Sequence, residues 1–148
     1  MIYCTVGTTG SGKSTWVKQF VKCKDAYVID GDKLRLMLFS ENYTYDPAVE
    51  IYLKKCAVDL ANQMHFLGKD VIIDDADWFL SDEDRFGLFK SEDRVTWVVF
   101  QFPSKELVIK RRTEEGRGIP VEKWLEVWEN HKKRFKIPQT NNKIFAIV

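Results

Sequence analysis

No stretch of the sequence approaches the roughly 18 consecutive apolar residues that a bilayer-crossing helix needs, so no membrane segment is expected. Histidine and cysteine are scarce. Cys4, Cys23 and Cys56 form no CxxC pair, and His65 and His131 stand far apart, so the spacing offers neither a zinc site nor a disulfide framework and fits a reducing compartment. Net charge is nearly absent too: a formal +1 at pH 7 exerts no overall pull on nucleic acid. The chain lacks internal repeats, low-complexity tracts and a linker. A basic segment followed by an apolar one is also missing at the N-terminus, where Gly7 to Gly12 interrupt the only candidate, so a cytoplasmic protein with no stable protein partner is expected.

What remains is 45% apolar and 30% charged residues in a chain of 148, the composition of one globular domain over residues 1–148. Its charge is unevenly spread. Asp70 to Arg94 holds nine acids against three bases, net −6, whereas Lys105 to Lys136 holds ten bases against six acids, net +4. Most basic helices are simply solvated, so the asymmetry points only weakly to an anionic ligand.

Short β-branched and aromatic runs at Ile2 to Val6, Ala26 to Ile29, Val71 to Ile73, Val95 to Phe100 and Ile144 to Val148 read as strands. Helical patterns alternate with them, over about Lys13 to Lys22, Lys33 to Phe39, Pro47 to Phe66, Ser81 to Phe89, Ser104 to Arg112 and Pro120 to Phe135. Pro47 and Pro120 suit first helical turns, and Pro103 blocks any start before Ser104. Several strands are apolar at consecutive positions, the sign of burial on both faces. The expectation is an α/β three-layer sandwich around a five-stranded parallel sheet.

Gly7-Thr8-Thr9-Gly10-Ser11-Gly12-Lys13-Ser14 matches G-x-x-x-x-G-K-[ST] and stands between a strand and a helix, as the mechanism of that motif requires. Glycines let successive N–H groups turn inward at a helix N-terminus, forming a nest for polyphosphate. Lys13 adds a charge at the β- and γ-phosphates, and the Ser14 hydroxyl can ligate Mg²⁺. The expected nucleotide-binding set is Thr9, Gly10, Ser11, Gly12, Lys13, Ser14 and Thr15, with ATP as ligand. A phosphate-binding loop says what is held, not what is done with it, so a kinase, a hydrolytic switch or motor, and a non-catalytic nucleotide binder all stay open.

Asp30 and Asp32 fall where the second strand ends, at the same sheet edge as the loop. Asp32 and Arg35, an i, i+3 pair, share a face of the following helical turn. Beside a transferred phosphoryl group, such a carboxylate can accept the acceptor hydroxyl's proton, and the arginine can hold a substrate anion. The alternative is that Asp32 only caps the helix and Arg35 is solvated. Asp74, Asp75 and Asp77 follow an apolar strand, where a carboxylate can hold Mg²⁺ directly or through water; Asp75 is the expected metal residue of the three. Arg117, between Gly116 and Gly118, is the expected mobile cation of a short lid over residues 111–119, with Arg111 and Arg112 as runners-up. Trp97, Trp124 and Trp128 fit the core. Trp16 and Trp78 fit it too, or could stack on a base.

"GSGKSTW", followed by D-x-x-R at Asp32 and Arg35, resembles the 5′-hydroxyl polynucleotide kinases of the bacteriophage end-healing type. The likeness extends through "VIIDDADWFLSDEDR" and "ELVIKRRTEEGRGIP", across nearly the whole chain. It implies that Asp32 is the general base toward a 5′-OH, that Arg35 contacts the phosphate 3′ of the acceptor nucleoside, and that lid arginines engage ATP. The chain departs from that family after the strand Asp, where Asp75 is followed by Ala76, Asp77 and Trp78, and it carries no phosphatase elements. The function this implies is transfer of the γ-phosphoryl of ATP, with Mg²⁺, to a 5′-OH end of DNA or RNA. The alternatives are a kinase of a nucleoside, nucleotide or other small molecule and, third, a non-catalytic nucleotide-binding protein.

Overall fold

The computed structural model describes residues 1–39, 44–116, 118–139 and, as backbone, 144–147. Strand β1 (Ile2–Val6) leads into α1 (Lys13–Lys24), β2 (Tyr27–Asp30), α2 (Gly31–Phe39), α3 (Pro47–Phe66) and β3 (Val71–Asp74). A short α4 (Asp82–Arg85) and a 3₁₀ turn (Glu92–Arg94) precede β4 (Val95–Phe100), α5 (Lys105–Glu114), α6 (Val121–Arg134) and β5 (Ile144–Ile147). All strand pairs are parallel, in the order β2-β3-β1-β4-β5.

Alternation along the strands divides the interior into two layers. Ile2, Cys4, Val71, Ile73, Val95 and Trp97 point to one face, where α3 packs Leu53, Ala57, Val58 and Ala61 with Trp78 and Phe79. Ile72 and Tyr3 point to the other, against Val17, Trp16, Phe20 and Val21 of α1. Every residue of β4 is buried, as a consecutive apolar run in a parallel sheet should be. The edge strand β2 departs from that pattern: Tyr27 and Val28 are half exposed because only one neighbour covers it.

Helix starts follow their caps. Asp46 accepts the Ala48 N–H at 3.0 Å ahead of Pro47, and Ser104 accepts the Leu107 N–H at 3.2 Å. Two expected boundaries are corrected. The helix placed at Lys33 begins at Gly31, because the Asp30 carboxylate accepts the Lys33 N–H at 3.1 Å and closes the first turn two residues earlier. The helix placed over Ser81 to Phe89 is a single turn held by a reciprocal Ser81–Asp84 cap. It stops at Phe86, whose ψ of 128° leaves the helical region, and Gly87 at φ 68° turns the chain; Arg85, buried at its end, donates to the Phe79 carbonyl at 2.6 Å and the Lys136 carbonyl at 3.0 Å.

Among the described residues, no helix is long and apolar enough to cross a membrane.

Candidate active site

The C-terminal ends of β1, β2 and β3 place three segments side by side. These are the glycine loop after β1, the start of α2 after β2, and the acidic run after β3. Gly12 caps α1 at φ 96°, a left-handed conformation that aims the first helical N–H groups into the loop and that a residue with a Cβ adopts only under strain.

Lys13 is buried, and its Nζ donates to the Thr8 carbonyl at 2.7 Å. Burial pulls its pKa down to about 8, against the opposing attraction of Asp74 and Asp75. Ser14 and Thr15 are exposed at the helix start. Gly10, Ser11, Gly12 and Trp16 line an open cleft of about 650 Å³, closed on its far side by Arg111 and Arg112 of α5. Trp16 packs against Phe20 and Phe100, with ring centroids 4.7 and 5.9 Å apart, so it serves the core and the cleft wall together.

Asp32 lies in the first turn of α2 with its side chain 77% exposed, and because Asp30 makes the cap, Asp32 does not. Arg35 is held by three carboxylates. Its Nε and Nη2 each donate to Glu50 at 2.7 Å, and its Nη1 donates to Asp75 at 2.8 Å and to Asp32 at 3.0 Å. The guanidinium also lies 5.3 Å from the Trp78 ring centroid, and the Trp78 indole N–H donates to Glu50 at 3.0 Å. Trp78 is therefore core, and Arg35 is the centre of a buried ion network rather than a solvated cation.

Glu50 was not legible as a site residue. It stands on α3, in a part of the sequence whose pattern signals only an amphipathic helix, and α3 packing against α2 brings it to Arg35.

The three acids after β3 separate by environment. Asp74 ends β3 and accepts the Thr5 hydroxyl at 2.7 Å; burial raises its pKa, while Thr5 and Lys13 pull it down. Asp75 is deeper, and burial raises it to about 6 even with Arg35 beside it. Its Oδ2 accepts from Arg35 and its Oδ1 from the Asp77 N–H at 2.9 Å, so both oxygens, expected to serve a metal, already hold protein donors. Gly31 permits this, since a Cβ there would stand 2.0 Å from Asp75 Oδ2. Burial raises Asp77 as well, but the His131 hydrogen bond and the Arg134 charge outweigh it and hold its pKa at about 2.

Of the expected lid cations, Arg117 lies outside the described residues. Arg111 donates to the Gly10 carbonyl, and Arg112 pairs with Glu115 at 2.6 Å with its guanidinium 5.4 Å from the Trp124 ring centroid. Trp97 and Trp124 are buried as expected; Trp128 is half-buried and donates to the Pro103 carbonyl at 2.9 Å.

The family model described as AAA domain matches residues 2–138. Among solved structures, an unliganded sugar kinase from Janibacter sp. HTCC2649 superposes with a TM-score of 0.72 at 12% identity, over 99% of this chain and 83% of that one. Deoxyadenosine kinase from M. mycoides superposes at 0.63 with 17% identity, over 100% and 90%. Both share the fold. A chain of the Pnkp1/Rnl/Hen1 RNA repair complex matches at 0.64 with 26% identity, over 94% of this chain but 48% of that one.

Proposed function

Because the chain belongs to the AAA domain family and has a P-loop kinase-like fold, we propose that it is an ATP-dependent kinase whose acceptor is the 5′-hydroxyl end of DNA or RNA. The whole chain is read as one catalytic domain. The observation that carries the reading is Asp32: an exposed carboxylate on the phosphate-loop edge, relieved of capping by Asp30 and held one turn from Arg35. The 26% identity to a chain of an RNA repair complex supports a nucleic-acid acceptor.

In this reading the N–H groups from Thr9 to Thr15 and the Lys13 ammonium hold the ATP phosphates. Asp32 accepts the proton of the acceptor hydroxyl as its oxygen attacks the γ-phosphorus, and the bond to the bridging oxygen of ADP breaks. Arg112 of α5 neutralises the transferred group, a role the sequence also assigns to Arg117. The exposed Ser14 hydroxyl and the carboxylate ending β3 form a hard oxygen donor set suited to Mg²⁺, which would offset charge on the phosphates. Asp74 is better placed for this than Asp75, both of whose oxygens are engaged.

One observation favours the rival acceptor. Arg35 spends its donors on Glu50, Asp75 and Asp32, which suits an acceptor without its own phosphate, such as a nucleoside or sugar. Label transfer from γ-labelled ATP to a panel of 5′-OH oligonucleotide, nucleosides and simple sugars tests both readings. Label on the oligonucleotide is expected; label only on a small alcohol overturns the acceptor, and label on none overturns the kinase reading.

A further inference from the structure

Helix α6 buries two residues, Trp124 and His131, seven apart and therefore on one face. Trp124 lies against Arg112. His131 reaches the opposite side of the phosphate loop, where its Nδ1 stands 2.7 Å from the Thr8 Oγ1 in a buried contact, with Thr8 fully enclosed. Its Nε2 is 3.4 Å from Asp77 Oδ1. Asp77 is fixed in turn by Arg134, whose Nη2 donates to the Asp77 carbonyl at 2.9 Å and to Asp84 at 2.9 Å.

The two ring nitrogens are thus held by different partners, Nδ1 by the Thr8 hydroxyl and Nε2 by the Asp77 carboxylate. The loop converges on the Thr8 carbonyl, which accepts the Lys13 ammonium at 2.7 Å and the Ser11 N–H at 3.3 Å. A side chain 123 positions away in sequence thus holds the residue that holds Lys13.

We propose that His131 is a positioning residue for the nucleotide site: through Thr8 it fixes the turn that presents Lys13, and Asp77 fixes His131. The inference rests on the proposed nucleotide reading for its ligand, MgATP. A merely structural histidine would lower thermal stability alone. A positioning histidine must also act through Lys13, and its effect must depend on which ring nitrogen is replaced. Asparagine places its amide near the Nδ1 position and can still meet Thr8, whereas glutamine places its amide near Nε2 and cannot.

Calorimetric titration of MgATP into the full chain tests this, and needs no acceptor. His131→Ala, His131→Gln and Thr8→Val should each raise Kd about three- to tenfold, the effect of one lost hydrogen bond. His131→Asn should recover most of that loss, and His131→Ala should change Kd by less than about twofold in a Lys13→Met background. The inference is overturned if asparagine costs as much as glutamine, or if His131→Ala costs the same factor with and without Lys13. Should His131→Ala fail to fold, Thr8→Ser and Thr8→Val decide: equal affinities would overturn it, and retention by serine alone would support it. Absence of label transfer to every acceptor would sink the kinase reading while leaving this titration readable; failure of MgATP to bind the unmodified chain overturns both.

Discussion

Arg35 lays its guanidinium along the Glu50 carboxylate, Nε to Oε1 and Nη2 to Oε2, both at 2.7 Å, with the Glu50 side chain only 6% exposed. A bidentate pair of this kind sets where the start of α2 sits against α3, and so where Asp32 stands. Removing one partner leaves the other charged and buried, so Arg35→Ala is expected to cost about 3 kcal/mol of stability in urea unfolding. Activity of that variant must therefore be read on protein shown to be folded. In the polynucleotide reading, the unmodified chain should use a nucleoside 3′-monophosphate better than the plain nucleoside; equal catalytic efficiencies, which the commitment of Arg35 to Glu50, Asp75 and Asp32 would favour, would turn the assignment toward a small-molecule kinase.

Lys13 illustrates the cost of a preformed site. Lys13 is 7% exposed and burial pulls its pKa to about 8, so its charge is held at a disadvantage that a bound anion would relieve. Lys13→Met should lower phosphoryl transfer at least about a hundredfold, since charge stabilisation at the transition state is worth several kcal/mol. Its melting temperature should be unchanged or higher. A variant that keeps its turnover would show that the loop is not catalytic.

Asp32→Asn separates catalysis from capping. Asp30 makes the cap and Asp32 is largely exposed, so stability should change by less than about 0.5 kcal/mol. Turnover should fall far more than nucleotide affinity does. A loss confined to melting temperature would return Asp32 to a structural role.

Asp77 predicts a pH dependence whose sign follows from its depressed pKa. With about 2 in the folded state against roughly 3.9 unfolded, its ionised form contributes about 2 kcal/mol, present above pH 4 and lost as pH falls through 2. Asp77→Asn should be less stable by about that amount at pH 7, and the gap between the two proteins should narrow between pH 4 and 2. A gap that stays constant over that range would mean the carboxylate charge contributes nothing.

Local sequence determined the strand and helix order and the phosphate loop, because these depend on neighbours. An apolar run buries on both faces, and glycines beside Lys13 at a helix start suit polyphosphate wherever they stand. It also marked Asp32 and Arg35 as one face of a turn. What Arg35 and Asp75 spend their atoms on was decided elsewhere. Glu50 meets Arg35 across 15 residues, Arg35 meets Asp75 across 40, and Thr8 meets His131 across 123. The two boundary differences are more local: the Asp30 carboxylate takes the Lys33 N–H three residues on, and Arg85 reaches back six residues to the Phe79 carbonyl, with only its Lys136 contact distant in sequence. Periodicity reports which face of an element is apolar, but the partner of a buried charge is chosen by helix packing, and only the assembled tertiary structure brings Glu50, Asp75 and His131 within hydrogen-bonding reach of the residues they hold.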